Sequence, residues 1–527
     1  MLSRVSSQNI IVGLVGLCLF LIPIAVRVIP VHQDTLIGGW MWTMWQSKLY
    51  GDFDGFFLIK SYILYLLGMA ITLLFLLLVR KKAIQIENDV ILNAMYVFGI
   101  WIVISAYLSD FPAESFLGYR DRYEGVFVII MYILVLTVTR YVVASPKNVY
   151  WLLVFATSGA IIVAVISLCQ FYGYNPLQAS SLGLLIKGAD YKEIANFGNF
   201  THSAYGTLYN PNYLSGYMSI VFFIPFVFYL NTSNKWIIGI SLPILLLFWA
   251  SLISSKSSSG TMAVGVGILI VVALRMLWKW YSWRKLAILL ILMIVIVVGM
   301  DVYANGGMFN EFTSIFHYGV NVFQALINNT PEERVSFPST ETSSDIEYWN
   351  LLQKYYPHES PLDRLGSGRG FIWRNSLEMV YQKPIFGYGM ETFAHHFPQG
   401  DLRKFNGLGQ MKIIVDKPHN LYLQIAVGAG IPALLIFIII NLCVLLLIIK
   451  KIYEDYLHQK IDTLLITATL MIVAYLVQGV FNDSTIGVSI LYWIFLGVLL
   501  AVLRWREANP VFTLDENDRL EEGCHGE

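Results

Sequence analysis

The chain has 527 residues, 57% hydrophobic and 13% charged, where a soluble domain carries roughly a quarter charged residues, so a soluble globule is excluded. The formal net charge is zero and no segment is strongly basic, which excludes nucleic acid as a partner. Cys18, Cys169, Cys443 and Cys524 are too scattered for a zinc site or redox pair.

A bilayer core about 30 Å thick takes about 20 apolar residues of helix, whereas a barrel strand needs only about ten. About twelve apolar runs have helical length: 9–29, 57–79, 89–108, 125–143, 150–171, 211–230, 236–253, 261–279, 285–302, 420–449, 461–480 and 486–503. The expected fold is an all-α polytopic membrane protein. The first run, Ile10 to Ile29, follows a weakly charged start and lacks a small-residue cleavage site, so it reads as a retained helix rather than a signal peptide.

Lysines and arginines near the helix ends set the orientation. Arg80, Lys81 and Lys82; Arg140 and Lys147; Arg275, Lys279, Arg284 and Lys285; Lys450 and Lys451; and Arg504 and Arg506 all fall on one side if the N-terminus is cytoplasmic. Both termini are then expected inside. Residues 1–302 hold helices one to nine, 303–418 form a large extracytoplasmic loop, 419–506 hold helices ten to twelve, and 507–527 are an acidic cytoplasmic tail. Seven of the nine histidines fall on the extracytoplasmic side: His32, His202, His317, His358, His395, His396 and His419. The division of nine spans to three around the loop lacks the symmetric repeats of many carriers.

The first half of the large loop, to about Ser360, is polar and irregular. From Ser367 the texture changes. Gly368-Arg369-Gly370 precedes Phe371-Ile372-Trp373-Arg374-Asn375, an amphipathic stretch that predicts a surface-lying helix near 368–382, ended by Pro384. Lys383-Pro384-Ile385-Phe386-Gly387-Tyr388-Gly389 follows, and Pro418-His419-Asn420-Leu421-Tyr422 opens the tenth run.

A guanidinium offers a planar fork for phosphate oxygens, which makes Arg369 the first candidate to hold an anionic leaving group, ahead of Arg374. The alternative for Arg369 is a lipid headgroup contact. His419, at a helix entrance, is a candidate proton acceptor or an ordinary interfacial side chain. Arg120 and Arg122 lie outside, against the positive-inside bias, so they are candidate anion contacts unless Asp121 and Glu124 neutralise them. Asn210 and Asn212 either cap the sixth helix or donate to sugar or phosphate oxygens, and Asn420 joins the substrate-binding candidates. The two carboxylates of Asp52-Phe53-Asp54 are a pair easily found by chance, and His395-His396 is weak as a metal pair, since adjacent helical residues diverge by about 100°. No metal or other cofactor is expected.

These motifs, with Gly118-Tyr119-Arg120-Asp121-Arg122-Tyr123-Glu124-Gly125 and Asn210-Pro211-Asn212-Tyr213-Leu214-Ser215-Gly216, resemble the O-antigen ligase and Wzy-type polymerase family from about residue 90 to 500. The resemblance implies a GT-C-like membrane glycosyltransferase of the bacterial inner (plasma) membrane. It implies transfer of a glycan from an undecaprenyl-diphosphate carrier to a glycan, lipid or cell-wall acceptor at the outer face. Arg369 and His419 match the family's functional arginine and histidine. One departure stands out: the family has a Ser-Arg-Gly-like element before the eighth helix, whereas this chain reads Ser254-Ser255-Lys256-Ser257-Ser258-Ser259-Gly260. Lys256 supplies a point charge there without a fork, or the stretch is a plain Ser-rich turn. A glycan flippase or exporter, and a peptidoglycan-type polymerase of the shape, elongation, division and sporulation group, are the alternative functions.

Overall fold

The computed structural model describes residues 2–30, 53–119, 122–178, 186, 203–277, 281–306, 363, 365–409, 413–458 and 462–508. Arg120, most of the loop before residue 363 and the tail beyond residue 508 lie outside the described residues. Every apolar run carries a helix: α1 (Leu2–Ile24), α2 (Leu58–Arg80), α3 (Val90–Tyr107), α5 (Val126–Val142), α6 (Pro146–Phe171), α7 (Pro211–Val221) continued by α8 (Phe223–Asn231), α9 (Lys235–Ser254), α10 (Ser258–Leu277), α11 (Trp283–Tyr303), α15 (Leu421–Leu457), α16 (Thr463–Gln478) and α17 (Ile486–Ala508). Between them come α4 (Pro112–Leu117), α12 (Leu365–Gln382), α13 (Phe393–His396) and α14 (Arg403–Leu408). Among the described residues ten helices are long and apolar enough to cross a membrane, and α5 and α16 are shorter apolar helices. The chain is an all-α, multi-pass membrane protein.

The helix starts are written in the sequence as caps. Asp89, Ser145, Asn210, Asn234, Ser282, Asn420 and Asp462 each accept a hydrogen bond from a backbone N–H of the first turn. Burial then sorts the helices. The apolar window of α17 is wholly buried and α7–α8 nearly so, whereas α2, α10 and α11 leave most of theirs exposed, as helices facing hydrocarbon do. Polar groups inside the bundle find partners: Tyr492 donates to Asn441 Oδ1 at 2.9 Å, and the Tyr475 ring stacks on Tyr492.

The helix ends segregate into two layers. At one end Arg140 pairs with Asp89 at 2.8 Å, Arg504 with Glu87 at 2.5 Å, and Lys285 donates to the Tyr229 carbonyl at 3.3 Å. The ends that carry the motifs collect at the other.

In α15 the helix breaks at Gly430, which adopts φ 82° and ψ 172°, and Pro432 has no N–H to offer Gly428. The Lys383–Gly389 stretch takes up the released groups. Tyr388 and Gly389 donate their N–H groups to the carbonyls of Val427 and Gly428 at 2.9 and 2.8 Å, and Ile431 donates back to Pro384 at 2.8 Å. Trp101 Nε1 donates to Ala429 at 3.0 Å, and the Ser105 hydroxyl lies 2.8 Å from the Gly428 carbonyl. A Cβ on Gly387 would sit 2.4 Å from the Val427 oxygen, and one on Gly430 would sit 2.0 Å from the Ile385 oxygen, so both positions exclude a side chain.

Candidate functional site

The site layer is assembled by tethers between segments far apart in sequence. Trp373, one turn beyond Arg369 on α12, donates to the Pro418 carbonyl at 2.9 Å. Residues four apart share a helix face, so this bond turns Arg369 toward the entrance of α15. At that entrance Asn420 Nδ2 donates to the Val480 carbonyl at 2.8 Å and Leu421 N to Gly479 at 2.7 Å. These bonds draw the turn after α16 against residue 419.

The result is a pair that no local motif announces. His419 Nδ1 lies 3.1 Å from Asp483 Oδ2; the imidazole is about one-third exposed, at 30%, and the carboxyl has no exposed surface. His419 holds a left-handed backbone, φ 52°, a conformation that costs about 1–3 kcal/mol in a non-glycine residue and tends to collect at functional sites. Glu391 (φ 65°) and Lys256 (φ 56°) share that conformation. Burial alone would raise Asp483, but the charges of His419, Arg122 and Lys417 outweigh it and hold the carboxyl down to about 2.

Asp483 is also the common neighbour of the other cations. Its charge acts on Arg122, Arg369 and Lys417. Arg122 is fully buried and grips Glu391 with two bonds, Nη2 to Oε1 at 3.0 Å and Nε to Oε2 at 3.1 Å, a fork that keeps it firmly cationic despite burial. Its partner is thus Glu391, set by the turn after Gly389, rather than Glu124 two residues on, while Asp121 lies outside the described residues. Burial opposes the charge on Lys417, but adjoining Asp416 at 3.2 Å raises its pKa well above the ordinary lysine range.

Arg369 differs from these. It makes no ion pair among the described residues; Nη1 donates to the Gly366 carbonyl at 3.3 Å, while Nε is buried with no partner there. Burial lowers its pKa and Asp483 opposes that shift. Arg374 is committed elsewhere, with Nε and Nη2 on the two oxygens of Asp363 at 2.9 and 2.7 Å.

The remaining candidates divide by how they are used. Asn210 caps α7 by accepting from Asn212 N at 2.8 Å, and Asn420 caps α15 through Leu423 N at 2.9 Å, so their side-chain oxygens serve the helices. The Asn212 carbonyl receives Asn482 Nδ2 at 3.3 Å, which places it beside the Asp483 loop. Lys256 is half-buried in the turn between α9 and α10. That turn meets the same loop, with Asn482 Nδ2 3.0 Å from Ser259 Oγ. His395 and His396 stand apart from His419, against Glu114, Asp110 and Phe111.

Residues 242–438 match the family model described as O-antigen ligase (Wzy_C). This match supports the O-antigen ligase family for that part of the chain. The matched stretch runs from α9 into α15 and includes Lys256, Arg369 and His419, whereas Arg122, Asn210, Asn212 and Asp483 lie outside it. Comparison with curated proteins returns no match. The match supports an O-antigen ligase- or polymerase-type role in surface polysaccharide synthesis for this multi-pass membrane chain.

Asp483, Glu391, Asp416 and Lys417 were not among the candidates that the sequence offered. A weak signal existed for Asp483, as an acid in a short loop between apolar runs, where ionised groups are expensive and tend to be functional.

Proposed function

We propose that this protein transfers a glycan from an undecaprenyl-diphosphate carrier to a hydroxyl acceptor on the extracytoplasmic face of the bacterial inner membrane, as a ligase or polymerase. Both termini are then cytoplasmic, residues 303–418 form an extracytoplasmic loop, and 507–527 form a cytoplasmic tail. The observation that carries this is one buried carboxylate, Asp483, with a partly exposed histidine at 3.1 Å and, within reach of its charge, the guanidinium of Arg369, which has no ion pair among the described residues.

With Asp483 at Nδ1, the partly exposed His419 ring keeps Nε2 as the base. Nε2 takes the acceptor hydroxyl proton; the oxygen attacks the anomeric carbon; the bond from that carbon to the diphosphate oxygen breaks, its electron pair leaving with undecaprenyl diphosphate. A single displacement of this kind inverts the anomeric configuration. Arg369 binds the diphosphate and offsets the charge that grows on it, which stabilises the transition state more than the ground state. Arg122, Lys256 and Arg120 add positive potential, and Asn212 lines the same layer. No step draws on a metal ion. The membrane keeps the prenyl carrier in place while the loop limits water, which suppresses hydrolysis of the activated bond.

The test is glycan transfer in proteoliposomes. Arg369→Ala and His419→Ala are each expected to lose about 10²–10⁴-fold in kcat. If both variants fold, insert and transfer at the wild-type rate, these roles are wrong. The acceptor separates the two enzyme classes: a deletion strain that keeps single repeats but loses chain length lacks a polymerase, and one that accumulates long lipid-linked chains lacks a ligase.

A further inference from the structure

Beneath the His419–Asp483 pair lies a buried polar layer that the transfer scheme does not use. Ser484 N donates to Gln424 Oε1 at 2.8 Å, and Gln424 Nε2 reaches Glu391 Oε1 at 3.5 Å. The Ser484 hydroxyl donates to Glu124 Oε1 at 2.9 Å, and Tyr132 of α5 donates to the same oxygen at 2.6 Å. Glu124 therefore ties α5 to the residue next to Asp483. Its other oxygen, Oε2, is buried with no partner among the described residues.

We propose that Glu124 is a positioning residue of this site: it anchors Ser484 from below and so holds adjoining Asp483 against the His419 ring. The role rests on the assignment of His419 as base in the proposed function. Two donors converge on Oε1, so an acceptor is required there. Nothing among the described residues solvates Oε2, so the neutral acid fits the cavity and the carboxylate does not. The groups that face it agree. Burial pushes Glu124 up to about 8, and the charge of Glu391 adds to this, against the hydrogen bonds from Tyr132 and Ser484 and the charge of Arg122. Tyr475 of α16 closes the layer through Ser489, which lies 2.7 Å from Ser484 Oγ.

Ionisation of Glu124 would place charge on Oε2, which has no hydrogen-bond partner among the described residues, drawing in water or moving Ser484, and Asp483 would move with it. In wild type, activity is thus expected to fall as pH rises through about 8. A glutamine keeps the acceptor and cannot ionise.

The experiment compares wild type, Glu124→Gln, Glu124→Ala and His419→Ala as full-length chains in proteoliposomes. The donor is undecaprenyl-diphosphate-linked glycan purified from cells that lack this chain, and kcat and KM are followed against pH. Glu124→Ala is expected to lose about tenfold in kcat at neutral pH with KM little changed, the scale of one lost buried hydrogen bond. Glu124→Gln should recover most of that loss and lack the alkaline fall near 8. An alkaline fall of equal size in wild type and Glu124→Gln, or a glutamine variant as impaired as the alanine, overturns the proposal. Failure of the underlying scheme looks different: His419→Ala would transfer as wild type does, and the role of Glu124 would fall with it.

Discussion

A carboxylate with no exposed surface stays ionised only among cations, and Arg122 and Lys417 supply two of them for Asp483. Its charge holds the imidazole of His419 in place. Asp483→Asn keeps the shape and removes the charge, so kcat for transfer is expected to fall about 10²–10⁴-fold. A folded, inserted Asp483→Asn chain with wild-type kcat would remove Asp483 from the chemistry. Arg369 and His419 were legible because each sits in a run whose neighbours have local jobs: Trp373 ties α12 to Pro418, and Asn420 caps α15. Asp483 was not legible as their partner, since electrostatic pairing depends on distance in space and the sequence records only distance along the chain.

At the level of elements, the Lys-Pro-Ile-Phe-Gly-Tyr-Gly stretch is explained by its backbone. It satisfies the carbonyls that the break in α15 releases, and in doing so delivers Glu391 to Arg122. Gly430→Ala would force a side chain into a positive-φ position against the Ile385 oxygen. The expected effect is a loss of about 1–3 kcal/mol of stability, read as a lower thermal midpoint in detergent. An unchanged midpoint would show that the break is not held by this contact. The helices were legible from apolar length alone, and their starts from capping residues. The break was not, because hydropathy runs unbroken from Leu421 onward and a Gly-Ile-Pro sequence says only that a kink is tolerated, not which N–H groups will repair it.

For the whole molecule, the two layers of helix ends make a topology that can be checked directly. Ser233 lies exposed in the turn before α9, on the side of Lys285, and Gly400 lies exposed with open space around its Cα, on the side of His419. In a chain freed of its native cysteines, Gly400→Cys is expected to react with an impermeant thiol reagent from outside spheroplasts, and Ser233→Cys only after lysis. The opposite pattern would invert the proposed orientation and move the site to the cytoplasm.

The sequence by itself determined that this chain lives in a bilayer, because an apolar run of helical length has no other stable solvent, and it determined the segments in which a candidate phosphate-binding arginine and a candidate base reside. Tertiary structure decided which charges pair. In a low-dielectric layer each buried ion must be matched in space. Glu391 therefore takes Arg122, Asp363 takes Arg374, and Asp483 meets His419. Arg369 is left without an ion pair among the described residues.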